Sequence, residues 1–103
     1  MLTPKEIAAL TPEQKAELKA KHGALHLYKI EEYVALLRKP TRNDLSYASA
    51  GAKGEAFKLT ELLLNQCWLG GDEILRDNLD YYLGLSEKFN ELVAVKQGEL
   101  GEL

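Results

Sequence analysis

The chain has 103 residues, enough for one domain with a single modest core and no need of metal or disulfide staples. Its hydrophobic share of 46% and charged share of 28% exclude wholesale disorder, and a net charge of -3 is too mild to announce a nucleic-acid or membrane partner. One cysteine excludes an internal disulfide, and no stretch has the apolar run of a secretory signal or a membrane span, so a soluble cytoplasmic protein is expected.

Helix signals are written twice at the start, in Thr3-Pro4-Lys5-Glu6 and Thr11-Pro12-Glu13-Gln14. In each, Thr can accept from an orphan backbone N–H, Pro suits the first helical position, and Glu or Gln three residues on can close a capping box. Short helices are expected near 4–9 and 12–22, the second stopping at Gly23 and carrying Leu18 as its one large apolar residue. Residues 1–23 thus read as a helical arm of the kind that orders against a partner, and 24–103 as one small globular domain.

Residues 24–40 carry two competing patterns. LHLYKI alternates and YVALLR is rich in strand formers, which predicts a β-hairpin with strands near 25–31 and 33–38. Against it, Glu31-Glu32 lacks the Gly, Asn or Asp that a tight turn favours, and EEYVALLRK also fits one helix with Tyr33, Leu36 and Leu37 on a face.

After Pro40, Thr41 caps a short helix that places Asp44 in its first turn and Leu45, Ala48 and Ser49 inward, ending before Gly51. A GAKG linker leads to the most apolar stretch, Ala56 to Asp72, which predicts a helix buried on most sides and stopped by Gly70-Gly71. Asp72 to Arg76 is a connection of undecided form. Asp77 or Asn78 then caps a last helix reaching about Gln97, with Leu79, Tyr82, Leu83, Ser86, Phe89 and Val93 inward. The fold class expected is α+β, mainly helical: the arm, a hairpin, then three helices around one core. Charge is divided along it, with nine Lys/Arg against five Asp/Glu in 15–58 and three against nine in 61–103.

Chemistry-bearing residues do not assemble into an active site, so neither catalysis nor a cofactor is expected. Cys67 lies inside the apolar helix, as a buried thiol does. His22 and His26 are separated by Gly23 and have no third ligand in sight, so no metal is expected. Gly70-Gly71-Asp72 lacks the Lys and the spacing of a phosphate loop. The densest positive patch runs through Arg38, Lys39 and Arg42, and suits an acidic protein partner better than phosphate. Trp68 reads first as core and second as a contact residue, whereas Tyr81 lies off the main stripe and suits a contact surface. Arg38, Lys39, Arg42, Trp68 and Tyr81 are therefore the candidate partner-binding residues.

The segments LLRKPTRNDLSYA and LLLNQCWLGGDE, in that order after a strand pair, resemble small phage and prophage proteins of the tail assembly chaperone type, over roughly residues 27–73. By that resemblance Arg38, Lys39, Pro40, Thr41 and Arg42, then Asn65, Cys67, Trp68, Gly70, Gly71 and Asp72, are the matching positions. The resemblance implies a non-enzymatic protein of the bacterial host cytoplasm that binds the tail tape-measure protein and keeps its hydrophobic helices soluble until the tail tube assembles. A homo-oligomer is compatible with the wide apolar arc of the last helix. The alternatives are a structural tail or connector subunit of the virion and a small nucleic-acid-binding regulator.

Overall fold

The computed structural model describes residues 1–93 and 98–103. The fold is α+β: a three-stranded antiparallel sheet with six helices among the described residues. Helices α1 (Pro4–Ala8) and α2 (Pro12–His22) come first, followed by strands β1 (Leu25–Ile30) and β2 (Tyr33–Arg38). Helices α3 (Arg42–Ala52) and α4 (Ala56–Cys67) lead into strand β3 (Trp68–Gly71). The chain closes with α5 (Ile74–Asp77), α6 (Leu79–Phe89) and a 3-10 turn at Asn90–Val93.

The hairpin prevails over the helix at 25–38. Ile30 pairs with Tyr33, which leaves Glu31-Glu32 as a two-residue loop, and Glu31 takes the left-handed conformation (φ 53°) that a glycine would adopt without cost. The turn chemistry is therefore as poor as the sequence reads. Pairing along all six residues of both strands overrides it.

Four of the six helices start at a side-chain cap, Thr3, Thr11, Thr41 and Asn78, whereas α4 and α5 have none. Thr11 accepts from the N–H of Gln14 (3.2 Å) while the Gln14 side chain accepts from the N–H of Thr11 (2.9 Å), a complete capping box. Thr3 accepts from the N–H of Glu6, but the Glu6 carboxylate takes the Thr3 hydroxyl instead of its N–H, so that box is half closed. Asn78 caps α6, its side-chain oxygen accepting from the N–H of Asp80 (3.0 Å). The inferred run of this last helix to Gln97 lies, beyond Val93, outside the described residues.

The largest correction falls on the central helix. It ends at Cys67, and Trp68–Gly71 becomes a third strand beside β2, with Gly71 opposite Ala35 and Gly70 opposite Leu36. Gly70-Gly71 is thus part of a sheet and not a helix stop. Both glycines are there because backbone comes close: a Cβ on Gly71 (φ 133°) would collide with the carbonyl oxygen of Val34, and one on Gly70 with that of Leu2. Asp72 extends the ladder, its carboxylate accepting from the N–H of Val34 (2.8 Å) while its own N–H donates to the Val34 carbonyl (2.8 Å). On the other edge of β3, Leu2 donates to the Leu69 carbonyl and accepts from the N–H of Gly71, both at 3.0 Å.

The main core is Ala35, Leu37, Ala48, Leu63, Leu64, Cys67, Trp68, Leu75, Tyr82, Leu85 and Phe89, one side of the sheet packed on α3 to α6. Leu36 and Ile7, also buried, lie outside this cluster, where α1 meets β2 and β3. Ala48, Tyr82, Ser86 and Phe89 are buried as read, joined by Asp44, Ala52 and Leu85, whereas inward assignments are overturned at Leu45, Leu79 and Leu83, which are exposed. Ser49 likewise faces out, and α3 continues through Gly51, whose missing Cβ makes room for Leu62. Nor is α4 buried on most sides, since Ala56, Phe57 and Lys58 in its first turn are exposed.

Candidate functional site

Pro40 ends β2 and Thr41 starts α3, so the cluster Arg38 to Arg42 sits at a strand-to-helix corner. Its three cations go to different environments. Arg38 turns inward and grips Asp44 with both guanidinium nitrogens, Nη1 to Oδ2 at 2.5 Å and Nη2 to Oδ1 at 3.0 Å. Nη2 also donates to the Gln66 carbonyl (2.9 Å), one of the orphan acceptors at the end of α4. Asp44 completes the knot by accepting from the N–H (2.8 Å) and the hydroxyl (2.9 Å) of Thr41. The Arg38 guanidinium, helped by these bonds, holds the Asp44 carboxyl well below the usual carboxylate range. One arginine thus ties β2, α3 and α4 together.

Lys39 and Arg42 are exposed and make no ion pair among the described residues. They edge a groove of about 450 Å³ whose floor comes from Leu45 of α3, Leu59 and Leu63 of α4, and Leu92 and Val93 of the 3-10 turn. The exposure of Leu45 belongs to this groove. Its lining is mostly aliphatic, with Lys39 and Arg42 as its charged members.

The remaining candidates lie elsewhere. Trp68 is buried in the core, with the Arg76 guanidinium 4.3 Å above its ring, so it has no free face to offer a partner. Tyr81 lies by the hairpin turn: its hydroxyl donates to the Glu31 carboxylate and its ring meets Tyr33 edge-on at 5.4 Å. The Glu31 bond, more than any burial, pushes the phenol up to about 12. Of the other residues singled out in the sequence, Asn65 is exposed and accepts from Arg76 (3.3 Å), and Gly70, Gly71 and Asp72 build β3 and its extension. Cys67 is fully buried, and burial pushes its thiol up to about 11, away from the thiolate a nucleophile needs.

Of the five candidates, then, the fold brings together Lys39 and Arg42 only. The floor residues Leu45, Leu59 and Val93 were not singled out as a surface by sequence reasoning, which read Leu45 and Val93 as core. The usable signal was the pair of cations flanking Pro40-Thr41, since charges bracketing a helix start project from one corner of the fold. Among the described residues no group of three or more His, Cys, Asp or Glu could hold a metal ion, and no helix is long and apolar enough to cross a membrane. No protein-family model, curated protein or solved structure matches the chain.

Proposed function

We propose that this protein acts by binding another protein, without catalysis, as a tail assembly chaperone of phage or prophage type whose partner is the tape-measure protein of the tail. The observation that carries the binding reading is the aliphatic groove edged by Lys39 and Arg42. A chaperone of that kind has to cover apolar helices for a time and then release them. A groove of this size, open at the surface and with a charged rim, suits transient capture of one helix face better than permanent burial. The choice of partner rests on the resemblance of LLRKPTRNDLSYA and LLLNQCWLGGDE alone.

The test is co-expression with the helix-rich tape-measure protein encoded beside it, followed by affinity capture and light-scattering mass. The expected result is a complex in which the partner is soluble only with this chain present. Lys39→Glu with Arg42→Glu should weaken capture and leave the melting temperature unchanged, because neither side chain is tied into the fold. A lone protein beside an insoluble partner, or an encoding neighbourhood without tail genes, would overturn the reading. The nucleic-acid alternative is weakened by Arg38, whose charge is spent on Asp44. It predicts binding to duplex or single-stranded probes that falls steeply with salt.

A further inference from the structure

Phe57, Glu61 and Asn65 recur every four residues on α4 and so form one stripe, on a different side of the helix from Leu59 and Leu63. With Asp77, Leu79 and Tyr82 this stripe lines a second groove of about 450 Å³. Its walls present large apolar side chains to water. Phe57 is 57% exposed and Leu79 62%, and the Phe57 ring rests on Tyr82 with centroids 5.9 Å apart. Single exposed apolar residues are ordinary; two lining one groove define a contact surface.

The charge of this groove is opposite to that of the first. Arg76 is occupied, bonded to Glu73 at 2.7 Å and stacked over Trp68, so these two charges cancel. Glu61 and Asp77 make no ion pair among the described residues and leave the groove acidic. Carboxylates beside exposed apolar groups repel phosphate, which excludes nucleic acid and an anionic lipid surface as occupants. The chain's own lysine-rich helix α2 carries Leu18 as its one large apolar residue, too few to meet the two apolar walls of the groove.

We propose that the acidic groove is a second docking site, and that its occupant is an amphipathic helix of a partner protein bearing lysines or arginines. Apolar side chains of that helix seat against Phe57 and Leu79, and its cations face Glu61 and Asp77. The protein thereby holds two apolar segments of opposite charge on two sides of α4. The site is independent of the basic groove and stands or falls apart from it.

The experiment uses the full chain and two labelled peptides of about 16 residues, long enough to sustain a helix. Both carry leucines at i, i+3, i+4 and i+7; one has lysines at the flanking positions and the other glutamates. Fluorescence anisotropy should show the lysine peptide binding at least tenfold more tightly, with affinity falling as salt rises. Phe57→Ala and Leu79→Ala should each weaken it about tenfold, as expected of contact anchors. Glu61→Gln combined with Asp77→Asn should bring the two peptides level, and Lys39→Ala with Arg42→Ala should change nothing for the lysine peptide. Phe57→Leu should retain most of the binding, and melting by circular dichroism identifies any variant that fails to fold. Equal binding of the two peptides by the wild type would overturn the proposal. So would insensitivity to the groove variants, loss on changing Lys39 and Arg42, or a light-scattering mass showing that a second copy occupies this face.

Discussion

Removing the Asp44 carboxylate tests whether the corner at Arg38 holds the fold. In Asp44→Ala the Arg38 guanidinium keeps only its bonds to backbone carbonyls, and the Thr41 N–H loses its acceptor. The side chains are 15% and 11% exposed, so water can reach the vacated charge in part. Breaking a buried pair by deleting one partner costs about 3–5 kcal/mol, and loss of a capping interaction about 1 kcal/mol. The residual exposure discounts the pair, which brings the total to about 3–4 kcal/mol, a large fraction of the 5–15 kcal/mol typical of a domain. At roughly 4 °C per kcal/mol for a chain of this size, the melting temperature should fall by about 12–16 °C. Trp68, the only tryptophan and a buried one, reports unfolding by fluorescence in a urea titration. A cycle with Arg38→Met should show a coupling of about 2 kcal/mol, because the methionine leaves no buried cation. A loss below about 1 kcal/mol, or additive single effects, would refute the assignment. The pH dependence has a definite sign. A carboxylate held below its unfolded value of about 3.9 stabilises fully above roughly pH 5, and that stability drains away as the pH falls. Asp44→Asn should lack this share of the acid loss.

Four other outcomes follow from the geometry. Gly71→Ala forces a Cβ into Val34 at a φ reserved for glycine, and should cost about 3 kcal/mol or more by denaturant unfolding. Gly70→Ala collides first with Leu2 of the N-terminal segment, so it should cost less and release that segment, read as faster proteolysis before β1. Cys67 should react with a thiol reagent at neutral pH only as fast as the protein unfolds, and rapid native labelling would contradict its burial. The Tyr81 hydroxyl should titrate at about 12, followed by ultraviolet difference against Tyr81→Phe, and Glu31→Gln should return it toward the ordinary value near 10.

Much of this fold is legible locally. The capping residues Thr3, Thr11, Thr41 and Asn78 sit where their side chains predict, because an N-cap needs only its own residue and the next three. The alternation of β1 and the strand formers of β2 likewise need only a few consecutive side chains. Of the candidate site, the sequence shows two rim cations but not the groove they edge. Its floor joins residues of three elements that are distant in the chain.

Sequence by itself determined the two N-terminal helices and the caps at Thr3, Thr11, Thr41 and Asn78, which depend on neighbours within a turn, and it offered the hairpin as one of two patterns for residues 25–38. Tertiary structure alone decided the rest. WLGG continues an apolar helical run, and only the free edge of β2 turns it into a strand, since that edge supplies the partners its backbone requires. Arg38 meets Asp44 and Gln66 because β2 ends beside the start of α3 and the end of α4, a meeting no periodicity encodes. Leu45, Leu79 and Leu83 share the helical stripe of buried neighbours yet face water. Which side of an apolar arc is covered depends on what packs there.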